Sequence, residues 1–353
     1  MNSISYRIEL EPLGDFFFGG ETTFGEDKER NYFARSGKFP QQSALLGMLR
    51  FELLKEKKLL PIQQSNKAAV KQLIGEKSFG FERNSNEFEF GIIKKISPVF
   101  LTDSEQDLIP VPLDYDYENH IDWNTESRVC LSGNIKSRQI DSGLFDTKNY
   151  NHGTRYIGTQ DKNLYSEGNL FEHSVKIGIN TIKSRESGDD KEAFFKQEFI
   201  SLKDKRQFAV YAQFKEEVFE ECMERLVILG GEQSMFRMRI KKAENTYEQK
   251  FKRLFDVNEK VILISDAYVS SPQKEVLSRA ADFAWSDTVV FRNIKTNVEK
   301  TTNYAAKPNK SNKMNLLKRG SVFYFSSEDT KKEIIQSLKN EYLQQYGFNL
   351  YID

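Results

Sequence analysis

The chain is short of cysteine, of net charge and of long apolar runs, and each shortage removes a class of protein. Its 353 residues include two cysteines, Cys130 and Cys222, with no CxxC or Cys/His spacing. That excludes a zinc motif and a disulfide-stapled secreted scaffold, and points to a reducing cytoplasm. No apolar stretch approaches the roughly 20 residues that span a bilayer, and the N-terminus reads as a strand without a signal pattern, so a soluble protein with no membrane partner is expected. Lysine plus arginine and aspartate plus glutamate number 52 each. A polyanion must therefore be met by a local basic surface and not by the field of the whole molecule. Histidine is scarce too, at three residues, His120, His152 and His173. No carboxylate and histidine spacing builds an ion site, so neither a metal nor another cofactor is expected.

What is present is organised around Phe33 to Arg50, a basic, glycine-containing loop that feeds a helix. Pro40 cannot lie inside a helix, Ser43 reads as the N-cap, and Leu45, Leu46, Leu49 and Leu53 recur at helical spacing, so the helix is expected from Ser43 to about Leu60, before Pro61. The unpaired N–H groups of its first turn would face the loop holding Arg35 and Lys38, and such an end favours an anion, phosphate above all. Ahead of it, Ile4, Tyr6, Ile8 and Leu10 alternate with polar residues as a half-buried strand, and Phe16 to Phe18 read as core packing beside a strand end. After it, Asn66 to Ile74 reads as a short helix ending at Gly75, and Phe79 to Phe100 as strands.

Thr102 to Glu126 carries eight acidic residues and no lysine or arginine, a segment expected to be a solvated loop or a face for a basic partner. Ser127 to His173 reads as a long irregular insertion. Val175 to Ile179, the polar turn Lys183 to Asp190 and Phe194 to Leu202 predict a protruding hairpin. Phe208 to Phe214 reads as a strand, and Val218, Phe219, Cys222, Leu226 and Leu229 as a helical stripe ending at Gly230-Gly231. Ser234 to Ile240 and Lys260 to Ser265 read as further strands. Strand, helix, strand in each half predicts an α+β protein of two ferredoxin-like (RRM-like) domains with long loop and hairpin insertions, residues 1–174, with the insertion at about 102–173, and residues 175–353. Sheets of this kind commonly bind single-stranded RNA. Phe291 to Arg319 holds eight lysines or arginines against Glu299 and lacks an apolar period, so it is expected to be an extended loop that neutralises phosphates. Ser326 with Asp329 resembles a capping box opening a helix through Tyr342.

Four short motifs occur together: Lys38-Phe-Pro40 before a Leu-Leu-Gly-x-Leu-Arg helix, Val175-Lys-Ile-Gly-Ile179, Leu229-Gly-Gly-Glu232 and Arg319-Gly-Ser-Val-Phe-Tyr-Phe325. In this order and spacing the chain resembles the third, handle-binding subunit of the Cmr complex, a member of the RAMP superfamily in type III-B CRISPR effectors. The resemblance implies a non-catalytic scaffold that grips the 5′ handle of the CRISPR RNA beside the large polymerase-like subunit and the first backbone subunit, meeting target RNA only indirectly. Carried onto this chain, it implies RNA contacts at Arg35, Ser36, Gly37, Lys38, Phe39, Gln41, Ser43 and Arg50, at Gly230 and Gly231, and at Lys307, Lys310, Lys313, Lys318, Arg319 and Gly320. Lys183 and Arg185 would belong to the family's thumb if the hairpin supplies it, the 127–173 insertion being the other candidate. Where the family often has an arginine after its early aromatics this chain has Gly19 and Gly20, and no handle contact is assigned there. The alternative is an RNA-processing endonuclease that cuts the precursor transcript with a histidine as general base.

Overall fold

The computed structural model describes residues 3–19, 22–24, 32–76, 78–81, 90–103, 105–116, 121–122, 131–132, 139–140, 155–180, 193–220, 222–244, 247–255, 257, 259–292, 294–295 and 309–353. Its first strand, Ile4–Pro12, alternates as its sequence predicts: Tyr6, Ile8 and Leu10 are buried, while Arg7 and Glu9 point to the other sheet face. It lies antiparallel between Gln207–Phe214 and Met235–Lys242. Among the described residues these belong to a nine-stranded sheet in the order Leu164–Ser166, Arg155–Gly158, Asp107–Pro110, Phe100–Thr102, Gln207–Phe214, Ile4–Pro12, Met235–Lys242, Met223–Ile228, with Ile93–Ile96 also paired to Gln207–Phe214. The sheet takes strands from both sides of position 174.

The first helix, Gln42–Glu56, packs Leu45, Leu46, Leu49 and Leu53 on that sheet. It starts earlier and ends sooner than its sequence suggests. Gln41, not Ser43, is the N-cap, because Gln41 is still extended and its carbonyl already accepts from the N–H groups of Ala44 and Leu45. The helix closes at Lys57, and Lys58 turns to a positive φ, so Leu59 and Leu60 lie beyond its last turn.

The second unit is a complete strand, helix, strand, strand, helix, strand array. Lys260–Leu263, the helix Ser271–Ala280, Phe283–Trp285, Val322–Tyr324, the helix Glu328–Leu338 and Tyr351–Ile352 follow one another. In space the strands run Phe283–Trp285, Val322–Tyr324, Lys260–Leu263, Tyr351–Ile352, which is the ferredoxin order. Val261, Leu263 and Phe323 pack beneath the two helices against Leu277, Ile334 and Leu338. On the opposite face Ile262, Val322, Tyr324 and Ile352 meet Phe100, Ile109, Ile157 and Ala209 of the large sheet, with Tyr247 and Phe251 of the helix Tyr247–Lys252 in the same cluster. The open face of the second sheet is thus buried against part of the large sheet, while Leu226, Ile228 and Met235 at the far end of the same large-sheet face stay exposed.

A third sheet carries the long hairpin Phe171–Asn180 and Ala193–Leu202, with Tyr32–Ala34 parallel to the latter and Thr22–Phe24 beyond it. The hairpin agrees with its sequence; its tip, with Lys183 and Arg185, lies outside the described residues.

Several local expectations change. The stripe from Val218 to Leu229 is a strand over Met223–Ile228, because Arg225 and Val227 face the first helix while Glu224, Leu226 and Ile228 face away, a period of two that pairs with Met235–Lys242. Within the acidic segment, Asp107 and Asp114 are buried and not solvated, since each meets cations brought in by other strands or helices. The end of the 127–173 insertion is ordered, Arg155–Gly158 and Leu164–Ser166 extending the large sheet. The 291–319 run is no simple loop: Thr288–Phe291 pairs with Met314–Leu317, and Phe291 and Leu316 are buried. The cap of the last long helix is the Ser327 and Thr330 pair, one residue beyond the expected box, and a break after Leu338 separates it from Glu341–Gln345.

Candidate nucleic-acid interface

Two of the expected RNA-contacting loops meet on the aromatic strip that follows the first strand, and a third joins them through Phe39. Phe17 accepts from the Gly231 N–H at 2.8 Å and donates its own N–H to Ser234 Oγ at 3.0 Å. One residue on, the Phe18 N–H donates to Ser36 Oγ at 3.0 Å, tying the Arg35 to Gln41 loop to the same strip. Gly230 sits at φ +94, where a Cβ would lie 2.6 Å from the Phe17 carbonyl oxygen and 2.8 Å from the Phe18 ring. The Gly230-Gly231 turn is therefore glycine because it lies flat on Phe17-Phe18. Gly37 has only ordinary contacts around its would-be Cβ.

Phe39 carries the loop to the third turn. Its ring packs among Tyr156, Phe171 and Phe208, with the Arg319 guanidinium 5.2 Å from its centroid. Arg319 donates to the Val99 carbonyl at 3.0 Å and lies 3.7 Å from Asp266, whose carboxylate also accepts from the Arg319 N–H at 2.9 Å. Burial alone would lower the Arg319 pKa, but Asp266, with Tyr247 and Tyr156, holds it above the ordinary arginine value. Gly320 follows at φ +88, its carbonyl accepting from Leu113 N–H at 2.8 Å and its N–H donating to Leu263 at 2.7 Å. The turn thus ties the second ferredoxin unit to the first.

The expected basic residues divide into engaged and outward-facing. Lys38 pairs with Glu167, and Lys318 lies 3.3 Å from Asp287. Arg50 stacks on Phe90 at 4.6 Å beneath the first helix; burial pushes its guanidinium pKa down to about 10, still charged at neutral pH. Gln41 caps the helix with its backbone, and Ser43 lies in the first turn. Arg35 is exposed, its guanidinium 5.4 Å from the Phe33 ring, and Lys313 is exposed at the start of its hairpin strand. Lys310 lies in the short pairing of Asn309–Lys310 with Ile294–Lys295, and Lys307 lies outside the described residues.

Sequence reasoning missed the carboxylates Glu167, Asp266 and Asp287 that neutralise these cations, and no local signal could have found them. It also missed the buried network in which Arg7 holds Asp107 with two bonds of 2.7 and 3.1 Å, beside Lys250 and Thr102. Of the histidines, His173 is described: its Nδ1 lies 3.0 Å from Glu198 on the long hairpin. Among the described residues no group of three or more His, Cys, Asp and Glu side chains could hold a metal ion, and no helix is long and apolar enough to cross a membrane.

A model of the CRISPR-associated protein family Cas_Cmr3 matches residues 8–352. No curated protein matches the sequence significantly. Among solved structures, a chain of the type III-B Cmr-beta complex bound to cognate target RNA aligns over 98% of this chain and 96% of its own, at 12% identity and a TM-score of 0.52. A second structure of that complex, with target RNA and AMPPnP, aligns over the same shares at 12% identity and 0.49. A chain of a Csm3-Csm4 subcomplex from a type III-A interference complex aligns over 91% of this chain and 93% of its own, at 12% identity and 0.38.

Proposed function

The chain belongs to the CRISPR-associated Cas_Cmr3 family, and from that premise we propose that it is a non-catalytic RNA-binding scaffold, gripping the 5′ handle of the CRISPR RNA within a type III-B effector complex. In this reading it stands beside the large polymerase-like subunit and the first backbone subunit, and meets target RNA through them. One observation carries the reading: the Arg35 to Gln41 loop, the Gly230-Gly231 turn and the Arg319-Gly320 turn are joined into one junction through Phe17, Phe18 and Phe39, with Arg35 left outward. A frame of hydrogen-bonded backbone and packed aromatic groups with an outward cation suits a single strand, whose phosphates set position and whose splayed bases set specificity. The similarity in fold to a chain of a Cmr complex bound to target RNA is consistent with it.

The assignment is divided between two kinds of residue. Arg35 and Lys313 neutralise phosphates; Arg319, Phe39 and the two glycines shape the junction. Replacing Arg35 and Lys313 together with alanine is expected to leave thermal stability unchanged and to lower the salt slope of RNA binding by about 1.4, at roughly 0.7 per contact to a single strand. An unchanged slope removes this surface from the reading. Incubation with a labelled repeat transcript, without metal, is expected to leave the RNA intact; cleavage lost in His152→Ala would establish the endonuclease instead.

A further inference from the structure

The large sheet ends at Met223–Ile228, which pairs with Met235–Lys242 on one side and, among the described residues, with nothing on the other. On the face turned away from the first helix, four large apolar side chains adjoin. Leu13 (44% exposed), just beyond the first strand, Met235 (48%) and Ile228 (59%) form a row, and Leu226 (55%) stands two residues along the edge. The Leu13 N–H donates to the Met235 carbonyl at 3.0 Å, which places the row in register.

The charges beside this patch cancel. Arg237 and Arg239 each bond both Glu11 and Glu224 at 2.9–3.2 Å, two cations against two carboxylates. A nucleic acid needs an excess of positive charge, and none is offered here. The edge backbone is also oriented. Leu229 N–H donates to Ser234 O at 3.0 Å, so the odd-numbered residues of the strand are the ones bonded to its neighbour. By the alternation of antiparallel pairing, the N–H and C=O groups of Glu224, Leu226 and Ile228 point outward, on the residues whose side chains flank or form the patch. The edge is held firm from behind, Arg225 pairing with Glu52 and Glu56 of the first helix and Val227 being buried.

We propose that this edge is a protein-docking surface, on which a neighbouring subunit of the same assembly lays an extended, alternately apolar segment along Met223–Ile228. The occupant is a protein because the rim is electrically neutral, and a strand because backbone groups that are unpaired among the described residues share the edge with apolar side chains. It is not a second copy acting through this patch alone: four side chains offer on the order of a few hundred Å², against the roughly 800 Å² per partner of a stable interface. A larger partner, held elsewhere as well, supplies the difference. Further along the same sheet face, the second ferredoxin unit already covers the apolar residues, and the partner would continue that cover. The proposal rests on the reading of the chain as a complex subunit.

The test is reconstitution of the complete complex from purified subunits, followed by mass measurement, with wild type, Leu226→Glu/Ile228→Glu and Leu226→Pro. The proline removes one outward N–H and leaves the inward ladder intact. Both variants are expected to melt within a few degrees of wild type, to bind handle RNA in isolation as wild type does, and to enter the complex at least tenfold more weakly. Entry at wild-type strength overturns the proposal. So does loss of RNA affinity, which would make the patch a nucleic-acid surface, or a concentration-dependent dimer of wild type that the variants abolish. Failure of wild type itself to enter the complex sinks the subunit reading, a distinct outcome from failure of the variants alone.

Discussion

Asp107 holds two partly buried cations, Arg7 and Lys250, and its own side chain is nearly inaccessible. Burial alone would raise its pKa, but the hydrogen bonds and charges of Arg7 and Lys250 outweigh that and hold it below the ordinary carboxylate value. A carboxyl whose folded pKa is depressed stabilises the protein above its unfolded value, near 3.9, and loses that contribution as pH falls through the folded value. Denaturant titrations are therefore expected to show a decline in stability below about pH 4 that is smaller in Asp107→Asn. At neutral pH, Asp107→Asn is expected to cost about 3 kcal/mol, because partly buried Lys250 loses its anion and Arg7 is left with Glu9 alone. Gly230 makes a different prediction. Gly230→Ala must place a Cβ against the Phe17 carbonyl at a φ that alanine disfavours, and is expected to cost about 2 kcal/mol by the same measurement. The sequence marks Gly230 as a turn, but that Phe17 lies beneath it is visible only in the fold.

At the scale of elements, the Arg319-Gly320 turn is legible as a motif, and its role differs from that of an exposed basic turn. Arg319 bridges the Val99 carbonyl, Asp266 and the Phe39 ring, which come from three separate elements. Arg319→Ala is expected to lower stability by about 3 kcal/mol, because it leaves Asp266 without its cation. Arg35→Ala is expected to leave stability unchanged and to weaken RNA binding. Chemical denaturation and salt-dependent RNA binding on the two variants separate the framework from the ligand surface. The strand Met223–Ile228 is a parallel case. Its apolar residues fit both a helical and an alternating template, and pairing with Met235–Lys242 decides between them, because a strand there can present Val227 to the core while Leu226 stays outside.

For the whole molecule, the decisive feature is that the large sheet and the second, ferredoxin-ordered unit face each other. Tyr324 and Lys260 of the second sheet both reach Asp114 in the first unit, and Ile262 packs in the same cluster as Phe100 and Ile109. Units that share so much apolar surface are expected to unfold together. Ile262→Ala is expected to cost about 3 kcal/mol and to shift one transition, coincident by far-UV circular dichroism and tyrosine fluorescence. Two separated transitions would show that the units are independent.

The sequence by itself determined the α+β class, the first strand, the long hairpin and the glycine turns, because these depend on periods of two or 3.6 residues and on backbone freedom at single positions. Only the tertiary structure decided which of the expected basic residues meet a carboxylate. Lys38 meets Glu167 at a separation of 129 residues, Arg319 meets Asp266 at 53 and Lys318 meets Asp287 at 31. A charge is neutralised by what lies beside it in space, and over such separations that neighbour is set by how sheets pack and not by any local pattern.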